Sequence, residues 1–497
     1  MTIKSKLDEI YYSVIDSKFY RLINDFDKHI SRNLRNDLIE MRPASTNGLW
    51  CCLLLPTILL LYSIQYKVSL LYNLGTCIAI GYLFYCLLFI VFMSVSCLVL
   101  KENFYGGCWA SGTVSTLLMY TFLDQGLMFS FIYSMTAVLM FNELLKLTLT
   151  RFPKTFTIGE AMVVVQSIML FLIMTFTRLY YYDSGDRSDK EMDFVFNVVM
   201  TVLSSVGIIV TALILMEDEQ RTLQTLCYVT SVTGVYALVM LHGFVGIDCL
   251  ITITSYIVLN ITRLQLFFFW ASLAGLAALA IMKRMQLAVK ANTATRKVFH
   301  ILASAVFLSG IIIDIHFMTL AAGCGLGVII LVEALRKADV QHVTPVLEEA
   351  FKIYSDKQDT GYFAMTPIYL YVGLACPLVL VPVHKGYELE LLSGVLSLGI
   401  GDTAASWFGS KYGFNKWSGG VKTFEGTIFN ILSQIMTVYL LELFGLLYVD
   451  NALLRIIIAA IITGLVEART KQIDNLILPL FSIISFQMVN IICVLVQ

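Results

Sequence analysis

Charge is what this 497-residue chain has least of: 14% of its residues are Asp, Glu, Lys or Arg, against roughly 25% in an ordinary soluble domain. That shortage excludes a soluble enzyme. A basic excess is missing too, the formal net charge being -1, and no nucleic-acid partner is expected because phosphate backbones need a clustered basic surface. The eleven cysteines show neither the close spacing of a zinc site nor the regular spacing of a disulfide framework. Cys51, Cys52, Cys77, Cys86, Cys97 and Cys493 fall inside apolar runs and read as small buried residues. A cleavable signal peptide is not expected either, since residues 1–48 are polar and place Lys4, Lys6, Asp8, Glu9, Lys18 and Arg21 where an apolar core is needed. Neither a Walker pattern nor a kinase-type glycine loop occurs, and no internal repeat of the transporter kind is visible.

What is present is apolar sequence, 58% of the residues with a mean hydropathy of +0.79. It falls in repeated runs of the length that crosses a bilayer core, so the expected fold is an all-α polytopic transmembrane helical bundle of about 14 to 16 spans. The runs lie at 49–66, 68–100, 107–123, 126–149, 158–182, 193–216, 222–245 and 247–282, then at 298–313, 315–334, 364–382, 389–408, 425–448, 453–468 and from 475 onward. The 68–100 run reads as one tilted span or two short ones, and 247–282 as two. The break from Asp183 to Glu191 reads as an exposed turn. Three regions follow: a polar segment 1–48, whose successor span near Leu49 is expected to direct insertion; a transmembrane region 49–283 without an assigned role; and a catalytic region 284–497 with a loop at about 409–427.

Because charge is scarce, its clusters are legible. Lys283, Arg284, Lys290, Arg296 and Lys297 are unaccompanied by any acid, which places their segment in the cytoplasm by the positive-inside rule. Counting spans in pairs brings Glu333, Arg336 and Lys337, then Lys411, Lys416 and Lys422, then Glu467, Arg469 and Lys471 to the same face. By the same parity Asp314, His316, His384 and Asp450 emerge opposite and are excluded from a site built on that face.

The densest polar stretch runs from Leu396 to Thr427. Asp402 follows Gly399 and Gly401 near a span end, where an acid is costly unless paired, solvated or bound to a cation; a snorkelling acid in a small-residue packing patch is the structural alternative. Lys422 and the expected N-cap Thr423 precede an apolar run, and a lysine beside a helix N-terminus outlines a phosphate site. Asp402 and Glu425 are expected to hold a divalent cation between them. Arg296, Lys297 and His300 support the site from the start of another helix, Arg296 and His300 sharing one face. Glu333, with Arg336 three residues on, reads as a helical ion pair or a further support, and Asp474, followed by Asn475, reads as an N-cap or a second chemical carboxylate.

The blocks GDTAASWFGSKYG at 401–413 and KWSGGVKTFEGT at 416–427, with RKVFH at 296–300 and EARTKQIDNLILPL at 467–480, resemble the CTP-dependent polyprenol kinases, of which the dolichol kinase branch is nearest. The resemblance covers about 284–497, the N-terminal spans matching only in being many and apolar. The wider group includes phytol and farnesol kinases and CDP-diacylglycerol synthase. It implies transfer of the γ-phosphate of CTP to the hydroxyl of dolichol or a related polyprenol. That reaction would use Mg²⁺ or Ca²⁺ at the cytoplasmic face of the endoplasmic reticulum membrane and supply lipid-linked sugar donors for protein glycosylation. The resemblance places CTP binding at about Ser418 to Thr427; the residues themselves supply the catalytic candidates Asp402 and Lys422, with Asp474 in reserve for whichever role Asp402 lacks. The nucleotide-binding set is Gly401, Thr403, Ser406, Lys411, Lys416, Ser418, Gly419, Gly420, Lys422, Thr423, Phe424, Glu425, Gly426 and Thr427. A cytidylyltransferase and a kinase for another isoprenoid alcohol are the alternatives; the former branch usually carries a proline where this chain has Ser418, Gly419, Gly420 and Val421.

Overall fold

In the computed structural model, residues 18–95, 104–180, 190–287, 293–340, 344–354, 359, 361–417 and 422–496 are described. Cys97, Lys290, Ser418, Gly419, Gly420 and most of the Asp183 to Glu191 break lie outside them. Helix is what segments this apolar must adopt, because hydrocarbon offers the backbone no partners and each N–H and C=O has to be satisfied within its own segment. Accordingly 83% of the described residues are helical, and none of them forms a strand. Among the described residues, ten helices are long and apolar enough to cross a membrane, and three shorter apolar ones cover Leu49–Gln65, Cys249–Val258 and Met365–Ala375.

The two long runs resolve as the hydropathy reading allowed, and two later spans are interrupted. The 68–100 run forms a single helix, Leu70–Val95, whereas 247–282 divides into Cys249–Val258 and Ile261–Leu287. The division falls where Asn260 Oδ1 accepts from the Thr262 amide at 3.0 Å, a local bond that starts the second helix afresh. Met365–Ala375 stops short because Pro377 opens a separate four-residue turn. The 389–408 segment is not one helix either: Glu388–Leu391 is followed by a π-helix, Val395–Asp402, and then by Thr403–Tyr412.

That π-helix depends on close approach. A Cβ on Gly399 would lie 1.8 Å from Ser304 Oγ, and one on Gly401 would lie 2.7 Å from both Asn430 Oδ1 and Gln434 Nε2. Only glycine permits those contacts, and the wide turn they allow ends at Asp402.

The principal apolar core joins both halves of the sequence. Tyr62, Tyr82, Phe89 and Phe141 from the N-terminal region pack in one cluster with Phe307, Tyr369, Ile477 and Ile483. A second cluster, with Leu389, Leu396, Val438, Ile456 and Phe486, belongs to the C-terminal region alone. The N-terminal helices are therefore part of the body that carries the final helix, Asp474–Val496.

Candidate active site

Four helix ends converge on a cavity of about 430 Å³. The start of Thr293–Ile313 brings Arg296, Lys297 and His300 to its wall, and Asp402 with the first turns of Thr403–Tyr412 brings Ser406 and Gly409. Lys422, Thr423, Gly426 and Thr427 come from the start of Phe424–Leu443, while the junction of Ala452–Arg469 with Asp474–Val496 contributes Glu467, Gln472, Asp474 and Asn475. Three of the four charged clusters thus meet in one place. The fourth lies nearby: Glu333 pairs with Arg336 through bonds of 2.8 and 2.7 Å and accepts from the Ala364 amide at 2.6 Å, two residues before Thr366 of the cavity wall. Glu333 itself does not line the cavity, and its ion pair is the helical one expected from the spacing.

At the centre, one carboxylate oxygen each from Asp402, Glu467 and Asp474 lies within 4.8 Å of the others. Carboxylates this close repel in a poorly solvated space and need cations. Two lysines supply them. Lys297 pairs with Asp402, while Lys422 Nζ donates to Asp474 Oδ2 at 2.9 Å and to the Glu467 carbonyl at 2.6 Å and sits 2.9 Å from Glu467 Oε1. Burial opposes the charge on Lys422, but Asp474 and Glu467 more than offset it and hold the ammonium above the usual lysine range. With all three acids ionised, the two lysines paired to them leave a net charge of -1 within the cluster, an excess suited to a hard cation.

The two ends of the loop joining the halves of the motif, 415–417 and 422–424, lie side by side. Lys416 and Thr423 form an antiparallel bridge, the Trp417 amide donates to the Lys422 carbonyl at 2.9 Å, and the Phe424 amide donates to the Asn415 carbonyl at 2.8 Å. Trp417 is buried, its indole donating to Thr427 Oγ1 at 2.9 Å with the Arg469 guanidinium stacked over the ring. This pins Lys422 in the wall. Thr423 caps its helix as expected, accepting from the Gly426 amide at 3.2 Å. That bond, with those of the Phe424 and Thr427 amides, engages N–H groups that the sequence reading reserved for phosphate. Positive charge at this end is therefore carried by side chains.

Not every expected residue comes to the cavity. Glu425 points away and accepts from the Asn415 amide and side chain, the latter at 2.6 Å. The pairing of Asp402 with Glu425 is thus corrected: the acids that gather with Asp402 are Glu467 and Asp474. Lys411 lies over the Tyr412 ring, Phe424 packs edge-on against Trp417, and Gly401 and Thr403 sit behind Asp402 rather than in the wall. Glu467 and Gln472 were missed. Span counting puts Glu467 among the charges on the shared face but gives it no role in the site; its place at a helix end seven residues before Asp474 is the further signal.

A family model described as dolichol kinase matches residues 76–373. This chain belongs to the dolichol kinase family. It is 31% identical over 396 residues to the dolichol kinase of Mus musculus, covering 76% of this chain and 73% of that protein. It is 32% identical over 398 residues to that of Bos taurus with the same coverage, and 33% identical over 368 residues to that of Homo sapiens, covering 70% and 68%. No solved structure matches. Family membership makes the chain a lipid kinase and a multi-pass membrane protein. The dolichol kinase match begins well inside the N-terminal spans, which corrects the expectation that those spans resemble the family only in being apolar.

Proposed function

We propose that the chain transfers the γ-phosphoryl group of CTP to the hydroxyl of dolichol at the cavity bounded by Asp402, Lys422 and Asp474, on the cytoplasmic face of the endoplasmic reticulum membrane. The observation that carries this reading is the three-carboxylate, two-lysine cluster at the meeting point of helix ends, in a chain whose relatives are dolichol kinases. A site at span ends lets a membrane-embedded alcohol meet a water-soluble nucleotide.

The donor set fits a divalent cation of the magnesium type, since all three groups are hard oxygen ligands and together exceed their lysine partners in charge. Such a cation, held by Glu467 and Asp474, would neutralise charge on the phosphate oxygens, the main requirement in phosphoryl transfer. Lys422, Lys297 and Arg296, all in the cavity wall, would supply positive charge to the phosphates. Asp402 accepts the alcohol proton. The new bond joins the alcohol oxygen to the γ-phosphorus, the bond to the β–γ bridging oxygen breaks, and CDP leaves. A single carboxylate serves poorly as both base and inner ligand; Glu467 removes that conflict by giving the cation a second acid.

Purified protein in phospholipid vesicles, supplied with Mg²⁺ and CTP labelled at the γ-phosphate, tests the reading. Label in dolichyl phosphate with release of CDP is the expected result. Pyrophosphate release with phosphatidic acid as acceptor, and no label in dolichol, would replace it with a cytidylyltransferase. Reporter tags after Lys337 and at Lys416 are expected on the same, cytoplasmic side; tags on opposite sides would dismantle the shared face.

A further inference from the structure

Glu467 and Asp474 are joined by a connection of a few residues, Thr470 to Ile473, between two helices. The distance between the two carboxylates is set by that connection. Gln472 lies within it, 5% exposed, and its side chain is committed to the N-terminal region. Its Nε2 donates to the Thr46 carbonyl at 2.9 Å and to Thr46 Oγ1 at 2.8 Å, and its Oε1 accepts from Thr157 Oγ1 at 3.2 Å. Both amide hydrogens and the amide oxygen are thereby used.

The receiving surface is shaped for this side chain. Gly48 has φ of 64°, and a Cβ there would sit 2.7 Å from Gln472 Cδ. A Cβ on Gly159 would sit 1.8 Å from the Gly48 carbonyl oxygen. The Gly159 amide donates to the Asn47 carbonyl at 2.9 Å, and the Asn47 side chain in turn donates to Ser31 Oγ at 2.8 Å and to the Asp27 carbonyl at 3.1 Å. The contact is therefore continuous from helix Lys18–Asn36 through the loop at 46–48 and the start of Ile158–Tyr180 to the connection between the two acids. Alongside it, Arg42 and Glu160 form a buried ion pair that fixes the same loop to the same helix.

We infer that Gln472 is a positioning residue, through which the N-terminal region sets the separation and aim of Glu467 and Asp474. The inference rests on the proposed reading of those carboxylates as the cation-holding pair. It assigns the N-terminal helices a part in catalysis without any of their side chains touching substrate, and it makes the hydrogen bonds of Gln472 matter more than its bulk.

Gln472→Met keeps the length and apolar volume of the side chain and removes its three hydrogen bonds; Thr157→Val removes one. Both are measured in the full chain by Mn²⁺ binding, followed by electron paramagnetic resonance, and by the Mg²⁺ dependence of phosphate transfer to dolichol. The expected result for Gln472→Met is a cation affinity weakened by about 10- to 100-fold, the range for residues that orient ligands, with KM for dolichol unchanged. Thr157→Val shifts the affinity in the same direction by less. Unchanged Mn²⁺ affinity in Gln472→Met overturns the inference, and if that variant does not accumulate, unchanged affinity in Thr157→Val does so. Asp474→Asn separates the two readings: if it too leaves Mn²⁺ affinity intact, the cation-holding role of the carboxylates fails, whereas if it abolishes binding while Gln472→Met is normal, only the positioning role fails.

Discussion

The same three segments of the C-terminal region carry two buried ionic clusters, one toward each end, and the two are built on opposite principles. Asp402 closes the segment in which Glu390 lies twelve residues earlier, Glu467 follows Arg455 by twelve on the next helix, and Gln487 follows Asp474 by thirteen on the last. Twelve helical residues span about 18 Å. At the Glu390 end the carboxylate is 0% exposed and saturated: Arg455 pairs with it, Tyr62 and Gln487 donate to it at 2.5 and 2.7 Å, Asn490 donates at 3.0 Å, and His384 lies 3.3 Å away. At the Asp402 end three carboxylates share two lysines around an open cavity. A lone acid enclosed by five donors is a structural joint, here tying Tyr62 of the N-terminal region to the C-terminal helices. An acid cluster with too few cations and room beside it is a place for a ligand.

If that contrast is right, the closed cluster fails as structure and the open one fails as chemistry. Glu390→Ala leaves Arg455 buried without its counter-charge, and breaking such a pair costs about 3–5 kcal/mol. Thermal unfolding of the detergent-solubilised protein is expected to show that loss, while the molecules that remain folded keep their normal dependence on Mg²⁺ and CTP. A variant of normal stability, or one that stays folded but shows altered nucleotide kinetics, would erase the distinction between the two ends. His384 belongs to this joint: it stacks on Tyr66 with ring centroids 4.1 Å apart. Span counting rightly separated it from Asp402, and its replacement belongs with effects on stability.

At the open end the loss is expected in turnover. Lys422→Ala and Asp402→Asn should each lower the rate of transfer by about 100-fold or more, the scale for removing a preorganised charge from a transition state. Membrane insertion should be retained in both. Initial rates normalised to folded protein measure this, and near-normal turnover in either variant removes that residue from the mechanism.

How much of this was legible beforehand depended on how far apart the partners lie in the chain. Asp402, Lys422 and Asp474 could be picked out because each stands in a short polar block at the end of an apolar run, and low overall charge makes such blocks conspicuous. The convergence of the blocks followed from counting spans in pairs. Gln472 could not be found that way: its partners Thr46 and Thr157 are 426 and 315 residues distant, and nothing local distinguishes it from a solvated loop residue. Glu467 was hidden differently. Neighbouring Arg469 and Lys471 make it look like an ordinary helix-end charge, but Arg469 turns onto Trp417 instead. The π-helix before Asp402 was invisible for a related reason, since its glycines answer to Ser304, Asn430 and Gln434 on other helices.

Glu425 offers the finest test, because adjacency in sequence and position in space disagree there. It stands between Thr423 and Thr427, both in the cavity wall, and helical residues two apart do not share a face. The turn that points Thr423, Gly426 and Thr427 inward therefore sends Glu425 outward, to Asn415. Its carboxylate holds Asn415 on the side away from the cavity, and under the proposed reading Glu467 and Asp474 would hold the cation. Glu425→Gln is accordingly expected to change turnover by about twofold at most, the scale of an exposed substitution, and to leave Mn²⁺ affinity unaltered. A loss approaching that of Lys422→Ala would mean that the helix start rotates when nucleotide binds and that the motif works as its spelling suggests. Normal kinetics would mean that the two charges of this run divide at Phe424, Lys422 facing the cavity and Glu425 holding the loop.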